Sequence, residues 1–162
     1  MKKLILLQIL ITILLLGCGH KNTTTNSSNN ESTSVNSKAL ISISNTLKEN
    51  SQLSIDKQIE LYYKLKKENL EGYNFDNEDE LTMYGYSFLW NNQVEEAIEI
   101  FKLIVAEFPE SSNPYDSLGE GYMVNGDMEL ALLNYEKSLE LNPDNFNAED
   151  QIERIKFPNK KQ

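Results

Sequence analysis

The chain divides by the spacing of its apolar residues. Lys2 and Lys3 precede an apolar run from Leu4 to Leu7 and a second from Ile9 to Leu16, broken by Gln8 and Thr12. A charged start followed by a greasy stretch of this length is the order of a secretory leader, and it falls short of the roughly 20 residues a membrane-spanning helix needs. Residues 19–38 then read GHKNTTTNSSNNESTSVNSK, with Val35 the one aliphatic side chain. So polar a run buries too little surface to offset the entropy of ordering, which predicts a flexible tether. Its twenty residues span about 25 Å on average and about 70 Å at full stretch.

From residue 39 onward the apolar residues take helical spacing. Ile55, Ile59, Tyr62 and Leu65 recur three or four apart, with Tyr63 beside them and Ser54 placed to cap the helix. Residues 39–49, with Ile41 and Leu47 apolar, supply a partner helix. Laying Leu81–Pro109 over Tyr115–Pro143 pairs Gly85 with Gly119, Phe88 with Tyr122, Ala97 with Ala131, Phe101 with Tyr135 and Pro109 with Pro143, every pair at one shared interval. Setting Ile59 and Tyr63 opposite Ala97 and Phe101 adds a degenerate helix offset by 38. Asn145 to Ile155 predicts a closing helix, with Ile152 and Ile155 inward and Asp150, Glu153 and Arg154 facing water.

The recurring residues have physical reasons. Gly85 and Gly119 accept a helix cost of about 1 kcal/mol relative to Ala, which a close approach repays. Ala97 and Ala131 are the small partners, and Phe88, Phe101, Tyr122 and Tyr135 fill the space between hairpins. Asn77 and Asn113 are N-cap candidates, with Glu80 and Asp116 three residues on to complete capping boxes and Pro114 at a first helical position. Asn91-Asn92 and Asn125-Gly126-Asp127 mark tight turns inside hairpins.

These spacings resemble the tetratricopeptide repeat, a helical hairpin whose pattern recurs every ~34 residues, the interval of the pairs above. The resemblance implies an all-α solenoid of helical hairpins: a degenerate hairpin at 39–76, two repeats at 77–143, and a capping helix and tail at 144–162. It also implies a groove lined by the first helix of each repeat, at Asp79, Thr82, Tyr86 and Leu89, then Asn113, Asp116, Glu120 and Met123, with Trp90 bordering it. The leader (1–17) ends Leu15-Leu16-Gly17-Cys18, which resembles the lipobox of bacterial lipoproteins. That resemblance implies cleavage before Cys18, a diacylglyceryl group on its sulfur and a third acyl chain on the new amino terminus. Each buried methylene contributes about 0.8 kcal/mol to such an anchor, which precedes the tether at 18–38. Gly19 after the cysteine resembles the outer-membrane pattern, where the cell has an outer membrane. Wording such as YDSLGEGY and NYEKSLELNP further resembles the helical extension at the carboxy terminus of some bacterial serine hydrolases, β-lactamase-like or α/β-hydrolase. In those proteins the catalytic domain lies upstream, so the resemblance transfers a fold and no catalytic residue.

Composition narrows the chemistry. Cys18 is the only cysteine and His20, two residues later, the only histidine. With Cys18 acylated, the folded region is left without a disulfide, a thiolate nucleophile, a Ser-His-Asp triad or a Cys/His metal cage. The net charge of −10 becomes −12 when the two positive charges of Lys2 and Lys3 leave with the leader, which disfavours nucleic acid and anionic headgroups. Ser117 in PYDSLGEGY has no base to activate it and reads as part of a helix. Ser54-Ile55-Asp56-Lys57 fits the Ser-x-x-Lys spacing without its companion triplets, and Asp76–Glu80 lacks the glycine and distal glutamate of a calcium loop. No enzyme activity, cofactor or metal is expected. The expectation is a lipid-anchored scaffold of the bacterial cell envelope that binds a protein or peptide, basic or aromatic in character given Asp79, Asp116 and Glu120. Its rival is an accessory subunit of an envelope serine hydrolase, and exposed hairpin edges leave homodimerisation open.

Overall fold

The helix starts keep the repeat, and Ser42, Asn77 and Asn145 cap three of them with their side chains. A computed structural model describes residues 39–159; the leader, Cys18, the tether to residue 38, and residues 160–162 lie outside them. Among the described residues seven α-helices run in order: α1 (Ile43–Glu49), α2 (Ile55–Glu68), α3 (Glu78–Trp90), α4 (Val94–Glu107), α5 (Ser112–Asn125), α6 (Met128–Leu141) and α7 (Phe146–Lys156). The first helices α3, α5 and α7 are preceded by Asn77, Ser111 and Asn145, each one repeat length after the last, and the second helices α4 and α6 by Gln93 and Asp127 at the same interval. Asn77 and Asn145 accept the N–H of Glu80 and Ala148 at 3.1 and 3.2 Å.

Two cap expectations change. Asn113 is the second residue of α5 and Pro114 the third, because the helix starts half a turn earlier, one repeat length past the cap at Asn77. Pro114 is tolerated there since first-turn N–H groups have no partner inside the helix. Asp116 and Ser117 consequently sit past the first turn. Glu80 does not close a reciprocal box with Asn77; its carboxylate accepts the hydroxyls of Ser42 and Ser44 at the start of α1, the latter at 3.2 Å.

Inside the α3–α4 and α5–α6 hairpins the turn reverses through one left-handed residue, Asn92 at φ 59° and Gly126 at φ 89°, again one repeat length apart. Gly85 and Gly119 make the same contact in their repeats: a Cβ on Gly85 would stand 2.5 Å from the Phe101 ring, and one on Gly119 3.0 Å from the Tyr135 ring. The glycines therefore make room for an aromatic ring of the paired helix. The buried residues fall into two clusters. The larger runs from Ile43 and Leu47 through Tyr62, Phe75, Leu81, Tyr84 and α4 to Leu118; the smaller holds Ala131, Tyr135 and Ala148, with Ile152 and Ile155 packed on it as expected.

The N-terminal hairpin keeps the architecture with a different register. In α2 the buried positions are Gln58 and Tyr62, whereas Tyr63 is exposed and Ile59 half-buried. The offset to Ala97 and Phe101 is thus 39, one more than the apolar spacing predicted. The extra length sits between α2 and α3, in residues 69–77. There a 3-10 turn (Leu70–Gly72) leads into β2 (Tyr73–Asn74), which pairs in parallel with β1 (Ile41–Ser42), Ile41 opposite Tyr73. Ile41 is accordingly an exposed strand residue, and Ile43 takes the buried place in α1. Gln58 is kept in the core by the Tyr84 hydroxyl, which donates to it, and by its own bond to the Leu53 carbonyl at 3.0 Å. Tyr62 likewise donates to Glu107 at 2.9 Å, and Lys66 pairs with the same carboxylate.

Candidate interaction surface

On α3 the residues Asp79, Met83, Tyr86 and Trp90 fall at i, i+4, i+7 and i+11, one stripe of a helix. Leu81, Tyr84 and Gly85 face the core instead. Met83 is 52% exposed and Trp90 69%. Trp90 is nevertheless held in place: its ring stacks on Tyr86 with centroids 5.9 Å apart at 23°, and Tyr86 in turn meets buried Phe101 edge-on at 5.1 Å. Three rings thus lead from the core to the surface. Burial pushes the Tyr86 hydroxyl well above its ordinary pKa, Ser117 opposing and the neighbouring Glu120 adding to it, so this group remains a proton donor.

The stripe continues onto α5 through a seam of hydrogen bonds between first helices. The Tyr86 hydroxyl donates to Glu120 at 2.8 Å, and Asn113 donates to Glu78 at 2.9 Å. Asp116 turns the other way: its two oxygens accept Asn145 at 3.0 Å and Asn147 at 2.9 Å at the start of α7. Burial raises the Asp116 carboxyl above its usual value, and the two amide donors work against that rise. Thr82 lies 6% exposed, one helical turn from both Glu78 and Tyr86, and its hydroxyl oxygen has no hydrogen-bond partner. Leu89 and Met123, repeat counterparts, are half-buried against the larger and the smaller cluster respectively.

Of the nine groove positions expected from sequence, the structure therefore brings Tyr86, Trp90 and Glu120 together. Asp79 and Asn113 are exposed counterparts near the helix starts, Asp116 is committed to α7, and Thr82 is closed off. Two exposed residues were missed. Met83 follows Asp79 by one turn, and Val124, 52% exposed, is the repeat counterpart of Trp90. The repeat interval would have found the second.

The suspected catalytic stretch is wall. Ser117 is 1% exposed within α5. Ser54 stands at the start of α2 without a side-chain cap bond, and Lys57 pairs with exposed Glu60 at 2.7 Å. On the side of the second helices, Ile55, Glu95, Glu99, Lys102 and Tyr122 border an open hollow of about 390 Å³. Among the described residues no group of three or more His, Cys, Asp or Glu is arranged to hold a metal ion, and no helix is long and apolar enough to cross a membrane.

Caps, left-handed turns and glycine–aromatic contacts recurring at one interval define an all-α helical-hairpin solenoid of tetratricopeptide type. Among solved structures, the chain is similar to the first TPR of Spaghetti (RPAP3) bound to HSP90 peptide SRMEEVD, at 22% identity over 70% of this chain and 84% of that one, with a TM-score of 0.49. It is also similar to the Sgt2 TPR domain from Aspergillus fumigatus, at 21% identity over 70% of this chain and 72% of that one, with the same TM-score of 0.49. No family model matches the chain, and no curated protein matches it.

Proposed function

We propose that this chain is a non-catalytic docking scaffold that receives a protein or peptide segment on the exposed face of α3 and α5, held at a bacterial cell membrane by acyl chains on Cys18. The observation that carries the docking reading is the exposure of Met83, Trp90 and Val124 along that face, with Trp90 braced by Tyr86. A large apolar side chain fixed in place and left in water, as Trp90 is, suits a partner better than it suits a solvated wall. The lipid attachment is supported by Leu15-Leu16-Gly17-Cys18 and by the polar stretch that follows it. A tether of that composition would let the repeats sample a shell of a few tens of ångströms above the bilayer, where a partner would meet the scaffold at high effective concentration.

The test is photocrosslinking in intact cells, with a photoreactive residue at Met83 and a control at Leu133 on α6. A partner captured at Met83 and not at Leu133 is expected. Cys18→Ser should move the protein from the membrane to the soluble fraction and reduce the capture. Absence of any Met83 adduct would remove the docking reading, and unchanged fractionation of the Cys18→Ser chain would remove the anchor. Capture of a serine hydrolase in this experiment would favour the accessory-subunit reading suggested by the YDSLGEGY wording.

A further inference from the structure

The charge on the first-helix face is lopsided in a way that the hydrogen bonds do not cure. α3 and α5 together carry Glu78, Asp79, Glu80, Asp116 and Glu120 and no lysine or arginine. The donors that engage these carboxylates across the seam are neutral hydroxyls and amides: Ser42, Ser44, Tyr86, Asn113, Asn145 and Asn147. Neutral donors fix the carboxylates in place but leave their charge uncompensated. Three cations of other helices pair away from this face, Arg154 with Asp150 at 2.9 Å, Lys156 with Glu136 at 2.6 Å and Lys102 with Glu99 at 2.7 Å, while Lys48 of α1 lies over the Tyr84 ring at 5.9 Å. At the far end of α3 from Glu78, Asp79 and Glu80, and next to Glu120, lies an aromatic surface. Tyr86 stacks on one side of the Trp90 ring, Trp90 as a residue is 69% exposed, and the Tyr86 hydroxyl is bound to Glu120.

The geometry points to a peptide segment bearing arginine or lysine, flanked by apolar residues, as the occupant of this corner. The inference rests on the docking reading above and gives its partner a chemistry. The cationic head group lies over the uncovered side of Trp90, within the roughly 6 Å at which the ring quadrupole attracts a cation, with Glu120 one tyrosine ring away and Asp79 further along the stripe. The apolar neighbours of that residue cover Met83 and Val124. The stacked pair needs no rearrangement to receive the cation, because Phe101 and Tyr86 already set the plane of the indole.

Trp90 is the only tryptophan in the chain, so its emission reports on this corner directly. The purified full chain in detergent is titrated with a short Arg-Leu-Arg-Leu-Arg peptide and with its Glu-Leu-Glu-Leu-Glu counterpart. The first is expected to shift Trp90 emission saturably, more weakly as salt rises, and the second to leave it unchanged. Glu120→Gln, which keeps an acceptor for Tyr86, should weaken the arginine peptide by about three- to thirty-fold. Trp90→Phe, followed through the anisotropy of labelled peptide, should weaken it as well, and Leu133→Ala should not. Equal response to both peptides, preference for the acidic one, no response to either, or an unaltered Glu120→Gln affinity would overturn the inference. If that happens while Met83 still captures a partner in cells, the docking reading stands and only its cationic chemistry falls; if Met83 captures nothing, both fall.

Discussion

The second helices of the two repeats, α4 and α6, start from one template and end in different surroundings. In α4 the residues Ala97, Ile98, Ile100, Phe101, Leu103 and Ile104 are buried, whereas in α6 only Ala131, Tyr135 and Ser138 are. Helix α4 packs against α2, α3 and α5, while α6 packs mainly against α5 and α7. The sequence follows the loss of neighbours: Ile100, Leu103 and Ile104 of α4 correspond to Asn134, Lys137 and Ser138 of α6. Ser138 shows how the end is finished, since it donates to the Ser112 carbonyl at 3.0 Å and accepts Asn145 at 2.8 Å where Ile104 simply packs. A hairpin in a solenoid is thus shaped as much by what stands beside it as by its own repeat pattern.

The largest effect that would separate the two repeats comes from their central rings. Phe101→Ala should cost about 3–5 kcal/mol in urea unfolding, and Tyr135→Ala distinctly less, because its cluster has fewer buried members to leave unsupported. Equal losses would show that both repeats share one core. Gly85→Ala comes next, at about 1–3 kcal/mol from overpacking against Phe101, with Gly119→Ala milder because Tyr135 stands 3.0 Å rather than 2.5 Å from the added methyl. Reversal of that order in the unfolding midpoints would mean that the Tyr135 ring is the less able of the two to shift. Asn145→Ala should cost about 1–2 kcal/mol, whereas Ser111→Ala at the same repeat position should be near neutral, since its side chain makes no cap bond. Amide exchange in α7 reads the difference directly. The smallest is a gain: Asn92→Gly should raise the melting midpoint by a few degrees at most, as Gly carries no Cβ penalty in the left-handed turn that Gly126 already occupies.

Most of the fold was legible because it repeats. Gly85 with Phe101 and Gly119 with Tyr135 identify each other by interval, and so do the turns at Asn92 and Gly126. What misled was local chemistry taken without the interval. Asn113-Pro114 looks like a helix start by residue type, yet counting from Asn77 reaches Ser111. In the N-terminal hairpin the interval itself fails, since residues 69–77 lengthen the link and Gln58 occupies a place where apolar periodicity searches for an aliphatic residue. The candidate surface was legible in part. Tyr86 and Glu120 were named from the groove positions that the resemblance implies and Trp90 as the neighbour of Leu89, but their convergence depends on a ring stack and a hydrogen bond between helices that no spacing encodes. Thr82 and Asp116 occupy matching repeat positions, and only tertiary contacts show the first sealed and the second spent on α7.

Tyr122 packs against both buried clusters, the larger one through α4 and the smaller one through α6. Its ring joins two clusters of unequal size. The smaller one has fewer buried residues to hold it shut, so amide protons of α6 and α7 should exchange with solvent ahead of those in α4. A ligand gripping α3 and α5 together would span that boundary and slow the breathing of the far end without touching it.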